Sequence, residues 1–282
     1  MISPVASTLI PKSGWVGVGG GQPRTQFVQV SGTTTPSRMW TRRKGHTRAV
    51  VLLHGFQFTR DNPIVLVPGL VNWQTPGSLL VKMMEHHADV YAFAYSQDVS
   101  LSQIARCKTF EEGIRNLRKL GYKEIVLVGH SAGGLLARQL VEEHPNLGVT
   151  KVIQVCSPNG GSVWANIRSL AAPNLQQFAE GMTQGNKRID SIIRNKHIPK
   201  SVEFVCVVGT GGFGGDLVVS HEEQWSRDLQ QQNIRAVRVP VTHTNAMTNW
   251  DSIAPIVRLV AEKVHRFSAA EVILMRAALE LD

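Results

Sequence analysis

Short apolar runs recur along the chain, separated by segments whose apolar residues fall three and four positions apart. The runs at 27–30, 49–53, 89–95, 125–128, 149–156, 202–208 and 234–241 are short and mostly apolar. That pattern predicts strands covered on both faces, with 27–30 as an early edge strand. Between them, 78–86 carries Leu79, Leu80 and Met83, and 101–120 carries Leu101, Ile104, Phe110, Ile114 and Leu117. Both spacings predict helices, and Gly121 is well placed to end the second. Further helices are predicted over 135–143, 222–232, 251–264 and 269–281, with Pro255 near the start of the third of these. Alternating strands and helices predict an α/β fold, a mostly parallel sheet flanked by helices in a single domain spanning 1–282. The stretch 158–200 breaks the rhythm and reads as an insertion.

The chain has 282 residues, 43% of them hydrophobic, enough for a large core without covalent staples. Its three cysteines are odd in number and widely spaced, which suggests neither a disulfide framework nor a zinc site; Cys156 and Cys206 lie in strand-like runs and are expected to be buried thiols. The formal net charge is +9, so a nucleic-acid partner has to be considered. The basic residues are scattered, however. The densest group, Arg42-Arg43-Lys44 with Arg48, has no interleaved aromatics and runs straight into a strand. A solvated basic surface without a nucleic-acid role is expected, leaving room for peripheral contact with a lipid surface. No run approaches ~20 apolar residues, so no membrane span is predicted. The first ten residues lack a basic start and Pro4 interrupts them, a poor export signal that points to a cytoplasmic protein. Glycine-rich stretches at 17–20 and 209–215 lack the strand and helix that a nucleotide loop requires.

Chemistry enters at Gly129-His130-Ser131-Ala132-Gly133, between the apolar run 125–128 and the helix predicted from 135. A serine on a sharp strand-to-helix turn presents its hydroxyl to the open end of the sheet. The backbone bends so tightly there that its neighbours must be small. A nucleophilic serine needs a base, an orienter for that base and donors for an oxyanion. The base is expected to be His243, which follows the last strand-like run. His130 adjoins the serine but is expected to point away across the turn. His46, His54, His86, His87 and His144 come too early or lie on helices. The orienter is expected to be Asp216, the only acid of the glycine-dense loop after 202–208. Its alternatives are to stabilise that loop or to bind a cation. Glu222, Glu223 and Asp228 are expected to be solvated on the next helix, and Asp251 to be a helix N-cap. The oxyanion donors are expected to be the N–H groups of Ala132, at the start of the serine helix, and Phe56, after the strand 49–53, with Gln57 as fallback.

His54-Gly55 behind an apolar strand, the 129–134 turn, Asp216 and His243, in that order, resemble the α/β-hydrolase superfamily, and within it the lipase and esterase branch. The segment Ser157-Pro158-Asn159-Gly160-Gly161-Ser162 is similar to a lipase segment in which histidine often stands where Asn159 stands here. Leu217 occupies a place that many relatives give to glycine. The resemblance implies a carboxylic-ester hydrolase acting on a small-molecule or lipid ester, with Ser131 as nucleophile, His243 as base and Asp216 as its orienter. Ala132 and Phe56 would form the oxyanion hole. The resemblance implies neither cofactor nor metal. It also places a cap or lid at 158–200, whose apolar residues, among them Ile167, Phe178, Met182 and Ile189, suit a cover over the site or a completed core. Phe56, Phe58, Trp73, Trp164 and Phe213 are expected to line the substrate pocket. Alternatives are a thioesterase, amidase or acyltransferase using the same residues, or a non-catalytic binding module on the same fold.

Overall fold

The computed structural model describes residues 23–57, 69–162, 176–182 and 196–281. Seven strands form one sheet: β1 (Thr25–Gln29), β2 (Arg48–Leu53), β3 (Asp89–Tyr95), β4 (Glu124–His130), β5 (Lys151–Val155), β6 (Glu203–Gly209) and β7 (Arg235–Val239). Their spatial order is β1-β3-β2-β4-β5-β6-β7, with β4 at the centre. All pairings are parallel except β1 with β3, so the predicted edge strand is also the antiparallel one. Successive residues of the apolar strands feed opposite cores. Val51 and Leu53 join one cluster while Val50 and Leu52 join the other. A sheet wetted on one side would have alternated apolar with polar; these strands do not because both faces are covered.

The helices are α1 (Leu79–Met84), α2 (Leu101–Ala105), α3 (Lys108–Lys119), α4 (Ala132–Glu143), α5 (Gln176–Glu180), α6 (His221–Gln224), α7 (Arg227–Gln231), α8 (Trp250–Ala261) and α9 (Ala269–Ala278). The single helix predicted over 101–120 is two. Leu101 and Ile104 share one face, but at about 100° per residue Phe110, Ile114 and Leu117 fall on nearly the opposite one. A break at Arg106-Cys107, with Cys107 extended, turns both stripes to the core. The helix predicted at 222–232 is likewise two short ones, α6 and α7. Pro255 lies inside α8 rather than near its start, and that helix is capped by Asn249, which accepts from the Asp251 N–H at 2.9 Å, not by Asp251.

Of the insertion, Phe178 and Met182 are buried in the core beside α2 and β3. Ile167, Ile189 and most of 158–200 lie outside the described residues. All three cysteines are buried and free. Among the described residues no helix is long and apolar enough to cross a membrane.

Candidate active site

Parallel strands put all their carboxyl ends on one edge of the sheet, and the loops there converge. Ser131 follows β4 at the middle of that edge and is the N-cap of α4. Its φ of 52° and ψ of −124° place it in a region that L-residues avoid. Two glycines make the bend possible. A methyl group on Gly129 would stand 2.5 Å from the Gly133 carbonyl, and one on Gly133 would stand 2.4 Å from the Leu53 oxygen. The start of α4 therefore rests directly on the backbone at the end of β2. The Ser131 N–H donates to the Val155 carbonyl at 2.8 Å, fixing the turn to β5 as well. The helix begins at Ala132, earlier than predicted. Ala132 N–H is thus one of the leading donors that an α-helix leaves without an acceptor.

Asp216 and His243 come together from β6 and β7. His243 Nδ1 lies 2.8 Å from Asp216 Oδ2, and the His243 N–H donates to the Asp216 main-chain carbonyl at 2.8 Å. Asp216 is fully buried. Its other oxygen accepts from the Val218 and Val219 N–H groups at 2.9 and 2.7 Å. Burial pushes its carboxyl up, but the hydrogen bond and charge of His243 and the two amides outweigh that and hold it below the ordinary range. With a carboxylate on Nδ1, the imidazole keeps its lone pair on Nε2. Leu217 takes φ 78° and points its side chain outward.

His130 does not point away. Its Nε2 lies 3.0 Å from the His243 carbonyl, and the two rings are 4.8 Å apart. Loss of water around the ring, reinforced by His243, lowers its pKa to about 3, so it is neutral. Trp73 meets His130 edge-on at 6.4 Å, so this predicted pocket residue does stand beside the serine turn. Phe213 is fully exposed at the tip of the acid loop. Phe58 and Trp164 lie outside the described residues.

The loop after β2 is anchored by His54. Its Nδ1 faces the Gly55 carbonyl at 2.8 Å and its Nε2 the Tyr95 N–H at 3.4 Å, with the Tyr95 ring stacked on it at 4.0 Å. Burial lowers its pKa to about 4. One nitrogen donates and the other accepts, which only the neutral ring can do. Gln97 completes the anchorage: its amide donates to Gly55 O at 2.9 Å, and its oxygen accepts from Gln57 N at 3.0 Å. Gln57 N–H, the fallback oxyanion donor, is engaged there. Phe56 turns its ring onto Phe178 of α5, 5.7 Å away and nearly parallel.

Two features escaped sequence reasoning. Asn159, in the place of the lipase histidine, is buried in a polar network. Its amide donates to Gln154 Oε1 at 2.9 Å and Gln224 O at 2.8 Å, and its oxygen accepts from Arg138 at 3.1 Å. Gln224 in turn accepts from Gly209 N at 2.8 Å and donates to Val219 O at 2.9 Å, clamping both ends of the acid loop. Arg138 also pairs with Glu142 and Asp228, so Asp228 is no merely solvated acid. Glu223, expected to be solvated, is buried. The second feature is Cys156, whose buried thiol sits beside Asp216. Ligand atoms of Cys156, Asp216 and His243 lie within 4.8 Å of one another. They suit a metal poorly: Asp216 and His243 already bond each other, and burial raises the Cys156 thiol well above its ordinary pKa, against the thiolate a metal needs.

Comparison with known proteins fits this geometry. Residues 104–192 match a family model described as the alpha/beta hydrolase fold, a stretch that contains Ser131 but ends before Asp216 and His243. A Drosophila melanogaster lysosomal thioesterase PPT2 homolog is 26% identical over 128 residues, 45% of this chain and 41% of that protein. The match thus spans about two-fifths of that relative's length. Among solved structures, the mature Bacillus licheniformis lipase BlEst2 superposes with a TM-score of 0.61 at 13% identity, over 84% of this chain and 98% of that one. The phospholipase PlaB of Legionella pneumophila gives 0.56 at 16% identity, over 83% and 63%. A monoacylglycerol lipase of Paleococcus ferrophilus gives 0.52 at 13% identity, over 85% and 98%. The strand order, the serine turn at the centre of the sheet and the matched segment around it give this chain the α/β-hydrolase fold.

Proposed function

We propose that the chain is a serine hydrolase of carboxylic esters, on the lipase and esterase side of its superfamily. The observation that carries the reading is the Asp216–His243 pair, bonded at 2.8 Å on the same sheet edge as the strained Ser131. Ser131 Oγ attacks the ester carbonyl while His243 Nε2 takes its proton. Asp216 holds the ring by Nδ1 and favours its cationic form. The N–H groups of Ala132 and Phe56 receive the oxyanion. The tetrahedral adduct collapses, the alcohol leaves with the proton from His243, and an acyl-Ser131 ester remains. Water, deprotonated by His243, attacks that ester, and the carboxylic acid departs as Ser131 regains its proton. Trp73, Phe56 and Phe213 are candidates for substrate contact. Amide hydrolysis or acyl transfer would use the same groups.

The test is Ser131→Ala assayed on chromogenic esters from acetate to long-chain acyl. Turnover should fall by at least about 1,000-fold with the fold intact; unchanged turnover overturns the proposal. A thioester substrate is the second reading, favoured by the match to a thioesterase homologue. Matched acyl esters and acyl thioesters separate the two by their kcat/KM ratio.

A further inference from the structure

We infer that His130 is a positioning residue, whose Nε2–H holds the main-chain carbonyl of His243 and so sets the distance between the serine turn and the base. The inference rests on the proposed roles of Ser131 and His243. A carbonyl oxygen can only accept, so the 3.0 Å contact places the hydrogen of the His130 ring on Nε2. His243 is then held by main chain in both directions. Its N–H is fixed to the Asp216 carbonyl at 2.8 Å and its C=O to His130.

The two tethers differ in what they register. The Asp216 bonds tie His243 to the loop after β6, and they would survive if the acid and base moved together away from the nucleophile. The His130 bond ties the base to β4 itself, through the residue immediately before Ser131. Thr242, beside the base, bonds within its own loop, to Asn245 Oδ1 at 2.9 Å, and adds nothing to that registration. His130 is also a firm post. Its main chain belongs to β4 and pairs with Val155 of β5, and its ring is braced by the edge of Trp73. A neutral ring suits the position, because a cation there would oppose the positive charge that His243 acquires during turnover.

The experiment compares wild type, His130→Phe and His130→Gln on a short-chain p-nitrophenyl ester. Phenylalanine keeps a flat ring but donates nothing; the glutamine amide restores a donor of similar reach. His130→Phe should lose on the order of 10- to 100-fold in kcat with KM changed less than about twofold, since misplacement of about 1 Å costs that much. His130→Gln should recover most of the loss. A His130→Phe enzyme within about twofold of wild type in kcat overturns the inference. So does a folded glutamine variant as impaired as the phenylalanine one. Should His130→Phe fail to fold, nitrogen-15 NMR of the wild-type imidazoles decides instead. His130 should be the Nε2–H tautomer from pH 5 to 9, and an Nδ1–H tautomer overturns the inference. A wild type inactive on every ester and thioester would instead sink the hydrolase reading itself.

Discussion

Leu217 carries a side chain through a backbone conformation that suits glycine. An L-residue in the left-handed region costs roughly 1–2 kcal/mol, while glycine gives back about 0.4–1 kcal/mol through the unfolded chain. The Leu217 side chain is 61% exposed, so little packing is lost with it. Leu217→Gly should therefore stabilise the protein by roughly 0.5–1 kcal/mol, read as a higher urea midpoint. Ser131 is strained in the same sense. Ser131→Gly should be more stable than Ser131→Ala by about 1 kcal/mol, although both lack the hydroxyl. At this scale the sequence was informative where chemistry restricts the residue type. Glycines flanking a serine, one acid in a glycine-dense loop and one histidine behind the last strand all follow from what a tight turn and an acid–base relay require. His130 and Asn159 were opaque because their partners, His243 and Gln224, lie far along the chain. Nothing local distinguishes a histidine that reaches across the sheet edge from one that turns aside.

Elements were legible wherever burial dictates a period. The strand runs could be read because both of their faces are covered. Helix ends were read less well, since they depend on phase and capping. The break inside 101–120 was present in the pattern as a change of apolar face, and the early start of α4 is dictated by the serine turn rather than by periodicity. The first turn of α4 tolerates little change. Gly133→Ala would drive a methyl group to 2.4 Å from the Leu53 oxygen and 2.5 Å from the His54 oxygen, both of them main chain. A loss of at least about 3 kcal/mol is expected, or failure to fold, measured by thermal unfolding. Further along the same helix, Arg138 is fully buried between Glu142, Asp228 and Asn159. Arg138→Met strands those acids and should cost about 3–5 kcal/mol. Because the network runs through Asn159 and Gln224 to both ends of the acid loop, the surviving folded fraction should also lose kcat.

For the molecule as a whole, acid sensitivity follows from three buried groups. His54 and His130 have folded pKa values of about 4 and 3, below the unfolded value of 6.5. Their contribution is intact above 6.5 and is lost as pH falls, since only the unfolded chain takes up those protons. Glu142 opposes them. Burial, only partly countered by Arg138, raises its pKa from 4.5 to about 7, so its contribution is present at low pH and lost as pH rises through 7. Between about pH 6.5 and 4.5 the unfolded state holds two extra protons and the folded state one. Stability should fall by about 1.4 kcal/mol per pH unit on acidification, and Glu142→Gln should roughly double that slope. Urea unfolding at pH 6.5, 5.5 and 4.5 measures both slopes. The overall architecture was the most legible level of all, because an all-buried strand pattern leaves few arrangements open. The seat of α4 on the end of β2 carries a last consequence for anyone redesigning this protein. That contact is main chain pressed on main chain and offers no side chain to vary, so new specificities will have to be sought in the loops at the carboxyl edge of the sheet.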